Sequence, residues 1–209
     1  MPAQCNALVL GASGLVGSAL VALLLDDARY KKVTCLVRKP LQNSDFDDPA
    51  GKLEPIVIDY QELEDYQGYF RAEHIYVCLG TTIKKAASKA AFRKVDFEYV
   101  FIAAQLARAQ RVRSFVWISS VGANAKSGSF YLRVKGELEN AIFALSGLDN
   151  ASAVRPSLLL GERQDSRLAE YLGIQFTQFI SPLMLGPLAK YKPISAQDVA
   201  AQMITLQQF

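Results

Sequence analysis

The chain has 209 residues, of which 51% are hydrophobic and 21% charged, and its formal net charge is +3. This composition is typical of a soluble globular protein, and so small a charge offers no concentrated basic face for nucleic acid. The apolar runs are all much shorter than the roughly 20 residues that span a bilayer, and no charged leader precedes the first of them. We therefore expect neither nucleic acid nor a membrane as a partner.

The three cysteines, Cys5, Cys35 and Cys78, each lie in or beside a predicted strand. Their odd number and their positions favour reduced core thiols over disulfides or a metal site. We therefore expect a reducing compartment, a cytoplasmic location and no bound metal.

Apolar runs of strand length alternate with helical patterns along most of the chain. The predicted strands are 6–11, 33–38, 54–58, 74–79, 112–119 and 151–155. The predicted helices are 15–26, 92–110, 130–146, 166–180 and 196–207, with a short helix or an irregular crossover at 60–70. This order predicts an α/β fold with a doubly wound parallel sheet of the Rossmann type, whose ligands bind at the carboxyl ends of the strands.

The chain is predicted to form one domain over 1–209. Beyond Pro156 the regular pattern is broken by Pro182, Gly186, Pro187 and Pro193. Residues 155–209 are therefore interpreted as a short, irregular C-terminal substrate region of the same domain.

Three glycines, Gly11, Gly14 and Gly17, lie between the first strand and the first helix. In a dinucleotide site the first permits a tight turn, the second lets the backbone approach the phosphates, and the third lets the helix pack closely. The phosphates then lie at the positive end of the helix. A purely structural turn is the alternative. The residues of this turn expected to bind a cofactor are Gly11, Ser13, Gly14, Leu15, Val16 and Gly17.

The second strand ends at Arg38 and Lys39, where an NAD site usually places an acidic residue. Two cations there favour NADP(H), because a guanidinium can bind the 2′-phosphate through two hydrogen bonds. A solvated pair at a strand end is the alternative. Asp59, which closes the third strand, is a candidate acceptor for the adenine amino group, or else caps the following turn.

The fifth strand ends in Ser119 and Ser120, and Tyr131 and Lys135 follow at a spacing that places them on one helix face. These residue types suit proton transfer to a carbonyl or from an alcohol beside a nicotinamide. One cation about 4 Å from the phenol, at an effective dielectric of about 20, favours the phenolate by up to about 4 kcal/mol. Lys135 can also donate to the nicotinamide ribose, so Tyr131 and Lys135 are cofactor-binding candidates as well. A serine hydroxyl can hold the substrate oxygen. A surface tyrosine and a solvated lysine are the alternative.

With these features the chain resembles the short-chain dehydrogenase/reductase superfamily, and within it the atypical branch that includes the Tat-interacting protein family. The matching stretches are 7–17, 78–82, 95–96, 99–100, 119–120, 122–123, 131–132, 134–137, 155–156, 163–164 and 166–167. The resemblance implies an NADPH-binding Rossmann fold with Ser, Tyr and Lys as catalytic candidates. It also implies that Leu79, Gly80 and Thr81 line the cofactor, and that Pro156 lies near the nicotinamide.

Two departures from the superfamily pattern affect the interpretation. Both serines lie closer to Tyr131 than in typical members, which leaves the choice between them open; we favour Ser120. The substrate region is also shorter than in sugar-nucleotide epimerases, which argues against a large nucleotide-sugar substrate.

Two further features have simpler interpretations. His74 is the sole histidine, and no nucleophile-elbow pattern surrounds any serine, so His74 is interpreted as a polar residue that enters the fourth strand. An apolar stripe at helical spacing is typical of a core, although in the superfamily the corresponding helix often pairs across a homodimer. The stripe consists of Phe92, Val95, Tyr99, Ile102 and Leu106.

The leading hypothesis is an NADP(H)-dependent oxidoreductase that acts on a small-molecule carbonyl or alcohol, with Ser120, Tyr131 and Lys135 as catalytic residues. One alternative is a regulator that senses NADPH and acts through partners with little turnover. The other is an epimerase or dehydratase of a sugar nucleotide.

Overall fold

The computed structural model describes residues 4–41, 45–157, 159–160 and 194–209. Six parallel strands form one sheet in the order β3-β2-β1-β4-β5-β6. The strands are β1 Cys5–Leu10, β2 Tyr30–Val37, β3 Leu53–Val57, β4 His74–Val77, β5 Ser114–Ile118 and β6 Ala151–Val154. A second, two-stranded sheet pairs β7 Leu159–Leu160 with β8 Ile194–Ser195.

Helices connect these strands on both faces of the sheet. They are α1 Leu15–Asp26, α2 Ile83–Ala86, α3 Lys89–Arg93, α4 Tyr99–Ala109, α5 Phe130–Phe143 and α6 Ala196–Thr205. A run of 3-10 turns covers Tyr60–Phe70, and a π-helical turn, Lys94–Glu98, joins α3 to α4. No helix within the described ranges is long and apolar enough to cross a membrane.

Alternate residues of each strand pack into two separate cores. In β1, Ala7 and Val9 face the layer that contains α1 and α6, whereas Leu8 and Leu10 face the layer that contains α4, α5 and the 3-10 turns. Burial on both faces is the reason why these strands are continuous apolar runs rather than alternating ones. The doubly wound Rossmann-type fold predicted from the sequence is confirmed.

The strand order reverses next to β1, because β2 lies on one side of it and β4 on the other. In sheets of this kind a crevice opens at the carboxyl ends of the strands at that point, and ligands bind there. The glycine turn follows β1 and the 79–81 segment follows β4, so both lie at this crevice.

Most element bounds match the prediction, and the differences have local causes. Helix α1 begins and ends where expected, whereas the predicted helix 92–110 is interrupted by the π-helical turn. Helices α5 and α6 end a few residues earlier than predicted. The predicted helix 166–180, the prolines beyond residue 181 and the matching stretches 163–164 and 166–167 fall outside the described residues.

His74 is the first residue of β4, at the end of the strand away from the crevice, and is fully buried. Its Nε2 lies 2.7 Å from the carbonyl oxygen of Gln208, which can only accept, so Nε2 carries the proton. Nδ1 therefore accepts from the hydroxyl of Tyr30 at 2.8 Å. Burial lowers the pKa of His74, in agreement with a neutral ring that fastens the C-terminal segment to the sheet.

Candidate functional site

The glycine turn is built by backbone contacts that leave no room for a side chain at Gly11 or Gly17. Gly11 has a φ of +88°, and a Cβ there would lie 2.7 Å from the carbonyl carbon of Cys78. The N–H of Gly14 donates to the Gly11 carbonyl at 3.0 Å. A Cβ on Gly17 would overlap that same carbonyl oxygen. Gly11 is thus packed closely against Cys78 after β4 on one side and against Gly17 at the start of α1 on the other.

A cavity of about 800 Å³ opens over this turn, a volume within the range of roughly 300–1,000 Å³ that is typical of small-molecule sites. It extends from the glycine turn, past the ends of β2 and β4, to the π-helical turn and the start of α4. Its lining residues are Gly11, Ser13, Gly14, Leu15, Ser18, Leu36, Val37, Arg38, Tyr60, Cys78, Leu79, Gly80, Thr81, Thr82, Lys85, Ala86, Ala91, Val95 and Tyr99.

Most of the predicted cofactor residues lie in this lining. Those that line the cavity are Gly11, Ser13, Gly14, Leu15, Arg38, Leu79, Gly80 and Thr81. Val16 and Gly17 are buried beneath the turn. Lys39 is exposed and outside the described lining. Three further cofactor candidates are also absent from the described lining: Tyr131, Lys135 and Pro156.

Asp59 also lies outside the described lining of the cavity. Its carboxylate accepts from the N–H of Gln61 at 2.8 Å and caps the 3-10 turns. The structure therefore shows the capping role, which the sequence had left open beside an adenine contact.

Tyr60 is a lining residue that the sequence analysis missed. Its buried hydroxyl donates to the carbonyl of Leu36 at 2.7 Å, and its ring lies 5.6 Å from that of Tyr99. Burial raises the pKa of Tyr60, so the hydroxyl remains a neutral donor that holds the end of β2 beside the cavity. A signal existed: an aromatic residue at the carboxyl end of a parallel strand lies where ligands bind.

The two candidate serines face different surroundings. Ser119 is buried, and within the described part of the chain its hydroxyl has no hydrogen-bond partner. Ser120 is partly exposed, and its hydroxyl donates to the carbonyl of Val121 at 3.3 Å. The N–H of Val121 in turn donates to the carbonyl of Pro156 at 3.0 Å, which brings this strand end and Pro156 together.

Tyr131 and Lys135 lie one turn apart on α5 and differ in exposure. Tyr131 is half-buried, with its ring 5.7 Å from that of Phe92. Lys135 is buried, and its ammonium group lies 2.8 Å from the carboxylate of Asp96. It also donates to the carbonyl of Ile118, at the end of β5, at 3.4 Å. The lysine is thus held between α5, the π-helical turn and β5.

The ion pair changes the expected effect of Lys135 on Tyr131. The sequence suggested an isolated cation beside the phenol, whereas the structure shows a lysine whose charge is balanced by Asp96 at 2.8 Å. The field of a close pair falls off faster with distance than that of a single charge. The electrostatic effect of the paired Lys135 on Tyr131 is therefore smaller than the figure of up to about 4 kcal/mol for an isolated cation.

A second ion pair fixes the segment that leads to Pro156. Arg155 donates through Nε and Nη2 to the two carboxylate oxygens of Glu139, at 2.9 and 2.6 Å. Glu139 is buried on α5, one turn beyond Lys135, and the hydrogen-bonded carboxylate raises the pKa of Arg155. Such a bidentate pair has a defined geometry, so α5 positions both Lys135 and the end of β6.

A family model described as NAD(P)H-binding matches residues 11–207 of this chain. The chain belongs to this NAD(P)H-binding family. The match begins at the first residue of the glycine turn and includes the cavity lining, the serines, Tyr131 and Lys135. NAD(P)H is therefore the cofactor class of the family, and the fold around the cavity is oxidoreductase-like.

Two relatives of this NAD(P)H-binding protein match most of the chain. Protein HTATIP2 of Rattus norvegicus is 37% identical over 170 residues, which are 80% of this chain and 68% of that protein. Protein FMP52-1, mitochondrial, of Scheffersomyces stipitis is 38% identical over 201 residues, which are 93% of this chain and 84% of that protein. The resemblance to the short-chain dehydrogenase/reductase superfamily and its Tat-interacting branch is thus confirmed.

The fold is shared with solved structures of much lower sequence similarity. MoeE5 in complex with UDP-glucose and NAD superposes with a TM-score of 0.69 at 17% identity, over 97% of this chain and 72% of that chain. At such an identity the likeness concerns the fold alone.

The cytoplasmic location expected from the cysteines is wrong. FMP52-1, which matches this NAD(P)H-binding chain over 93% of its length, is named a mitochondrial protein. The three cysteines are free in the structure, but reduced thiols do not separate the cytoplasm from other reducing compartments.

Proposed function

We propose that the protein is an NADP(H)-dependent oxidoreductase that acts on a small carbonyl or alcohol. The observation that carries the proposal is the position of Lys135, which a buried carboxylate joins to the cavity-lining residue Thr81. Tyr131 lies on the same helix, and Ser120 lies at the end of the strand that Lys135 contacts. Ser120, Tyr131 and Lys135 lie outside the described cavity lining, and Asp96 links Lys135 to the cavity wall at Thr81.

The cavity residues fit a dinucleotide. Gly11 and Gly14 line the cavity and have no side chain, so the backbone before α1 is open to phosphates. The first N–H groups of a helix have no partner inside it, and its N-terminus is electropositive. Pyrophosphate would be held there, and the adenosine half would extend toward Arg38 and Tyr60.

The chain's own residues supply the proton chemistry. When bound, NADPH supplies a hydride to a carbonyl carbon, and NADP⁺ accepts it in the reverse direction. Tyr131 donates its phenolic proton to the carbonyl oxygen and regains a proton from solvent, so that one hydride and one proton together form the alcohol. Ser120 donates a hydrogen bond to the same oxygen and orients it. Lys135 would hold the cofactor ribose, and its contacts with Asp96 and Ile118 fix its own position.

Arg38 supports NADP(H) over NAD(H). It follows β2 directly and lines the cavity together with Gly14 and Tyr60. The residue at this position contacts the ribose of the adenosine half in Rossmann sites, where an acid favours NAD and an arginine accommodates a 2′-phosphate. The planar guanidinium matches that phosphate in geometry and charge.

Replacement of Arg38 by Asp should therefore separate the two cofactors. We expect Arg38→Asp to weaken NADPH binding at least 30-fold, since a charged hydrogen bond contributes about 1.5–3 kcal/mol and the new carboxylate repels the phosphate. NADH binding should change by less than about threefold, because NADH has no phosphate there. Fluorescence titration of both cofactors gives the two dissociation constants.

Lys39→Asp provides a matched control for that experiment. It makes the same charge change at the neighbouring residue, which is exposed and outside the described cavity lining, so NADPH binding should change only slightly. Equal loss of NADPH and NADH in Arg38→Asp, or equal effects of the two substitutions, would contradict the assignment of the 2′-phosphate to Arg38.

Cofactor consumption separates the three functional hypotheses. An oxidoreductase consumes NADPH in proportion to the carbonyl reduced. An epimerase or dehydratase retains its cofactor and shows no net consumption, and a sensor binds NADPH without turnover of any substrate. We expect stoichiometric NADPH oxidation with at least one small carbonyl in a panel of aldehydes and ketones.

A further inference from the structure

We propose that Asp96 is a positioning residue that joins the cofactor-lining turn to Lys135. The inference rests on the function proposed above, because it assigns Lys135 to the cofactor site. The sequence named Asp96 only as part of the matching stretch 95–96 and gave it no role. It does not line the described cavity itself, so it acts through its two partners.

The two carboxylate oxygens of Asp96 bind two different partners. Oδ1 lies 2.8 Å from the ammonium group of Lys135, and Oδ2 accepts from the N–H of Thr81 at 2.8 Å. The side chain of Asp96 is 1% exposed and that of Lys135 is 3% exposed. One buried carboxylate therefore connects the backbone of the cavity wall to the lysine of α5.

The local backbone is shaped to present this carboxylate. Asp96 lies in the middle of the π-helical turn Lys94–Glu98, and such turns are rare and occur frequently at functional sites. The preceding residue, Val95, lines the cavity. Gly80 lies directly over the carboxylate, since a Cβ there would be 3.5 Å from Oδ1 of Asp96.

Stability alone does not explain this pair. A buried ion pair loses so much solvation that well-packed apolar residues often serve equally well or better, whereas removal of one partner is strongly destabilising. What the pair does provide is a fixed place for Lys135. A lysine has three N–H donors, and the described residues accept two of them, through Asp96 and the carbonyl of Ile118. The third has no acceptor among the described residues, and we propose that it donates to a ribose hydroxyl of the cofactor.

A double-mutant cycle on NADPH affinity tests the proposal. Asp96→Asn keeps an acceptor for Thr81 but removes the counter-charge of Lys135, and Lys135→Met removes the ammonium group. We expect each single substitution to weaken NADPH about tenfold, as is usual for the loss of a charged hydrogen bond. If Asp96 acts through Lys135, the double variant should be no more than about twofold weaker than the worse single variant.

Folding is monitored by the melting temperature of each variant without cofactor. Each single substitution leaves one buried polar group without its partner and should lower the melting temperature by roughly 10 °C, whereas the double variant should recover part of that loss. Affinities are measured at least 15–20 °C below each melting temperature, so that a merely structural role of Asp96 would leave them unchanged.

Glu137→Gln is the matched control. It removes an acidic partner on the same helix, whose ion pair with Arg93 at 2.5 Å is partly exposed and outside the described cavity lining. NADPH affinity should not change. Affinity losses that multiply in the double variant, or an Asp96→Asn variant that binds NADPH like Glu137→Gln, would overturn the proposal. Tight NADPH binding by the wild type without any turnover would refute the oxidoreductase function. The double-mutant cycle would still test Asp96 in that case, because it measures NADPH affinity and not turnover.

Discussion

Replacement of Gly17 by alanine is expected to weaken NADPH binding at least 100-fold and to lower the melting temperature. Within a helix alanine is intrinsically better than glycine by about 0.8–1.0 kcal/mol, so helix propensity alone would predict a more stable protein. The opposite is expected because the added Cβ would overlap the carbonyl oxygen of Gly11 and lie 3.0 Å from the Cα of Ala12. Both are backbone atoms of the turn, which must move away from the phosphate position.

The measurement is a fluorescence titration of NADPH together with a thermal melt. Gly68→Ala is the control, since a Cβ at Gly68 meets nothing within 4 Å and its backbone needs no positive φ. The control should keep the affinity and melting temperature of the wild type. A Gly17→Ala variant that binds NADPH within about threefold of the wild type would show that the turn tolerates a side chain, and the phosphate site would then have to lie elsewhere.

Tyr131→Phe is expected to lower kcat by about 10²–10⁴-fold, the usual contribution of a positioned acid or base. The phenyl ring retains the packing against Phe92, whose ring centre is 5.7 Å away, so the melting temperature should remain within a few degrees. NADPH affinity should also remain within about threefold, because the substitution removes a proton donor and leaves the cavity lining intact.

Tyr69→Phe is the control for this second prediction. It removes a phenolic hydroxyl from an exposed residue of the 3-10 turns, outside the described cavity lining, and should leave kcat unchanged. A Tyr131→Phe variant with wild-type kcat would remove Tyr131 from the mechanism, whereas a parallel loss of kcat and NADPH affinity would indicate a binding role.

The sheet and the part of the cavity formed by the glycine turn and Arg38 could be predicted because their sequence signals are local. Gly11, Gly14 and Gly17 lie in one turn between a strand and a helix, and the apolar run that begins at Leu15 specifies α1 directly. The position of Arg38 in the cavity lining could be predicted because ligands bind at the carboxyl ends of the strands in this fold.

The contacts that hold Lys135 could not be predicted in the same way. Asp96 and Lys135 are distant in the sequence, and only the packing of the π-helical turn against α5 brings them to 2.8 Å. The stripe from Phe92 to Leu106 has helical spacing throughout, which hides the extra residue of a π turn. Because the sequence does not reveal the π turn, it shows no partner for Lys135, and the lysine was interpreted as an isolated cation.

For the two serines and Asp59, the sequence indicated two alternative roles but could not choose between them. Side chains alternate in an extended segment, so the sequence indicates that Ser119 and Ser120 face opposite ways without specifying which one faces the crevice. The structure buries Ser119 and exposes part of Ser120. Asp59 carries two signals at once, a strand end and the start of a turn, and only its hydrogen bond to Gln61 shows which role it has.

Transfer of deuterium from NADPH labelled at C4 of the nicotinamide tests the central claim most directly. The wild-type protein is incubated with labelled NADPH and a panel of small aldehydes and ketones, and the products are analysed by mass spectrometry. We predict that at least one alcohol carries a single deuterium on the former carbonyl carbon, and that Tyr131→Phe forms it at least about 100-fold more slowly. Tight binding of labelled NADPH with no deuterium in any product would contradict the account.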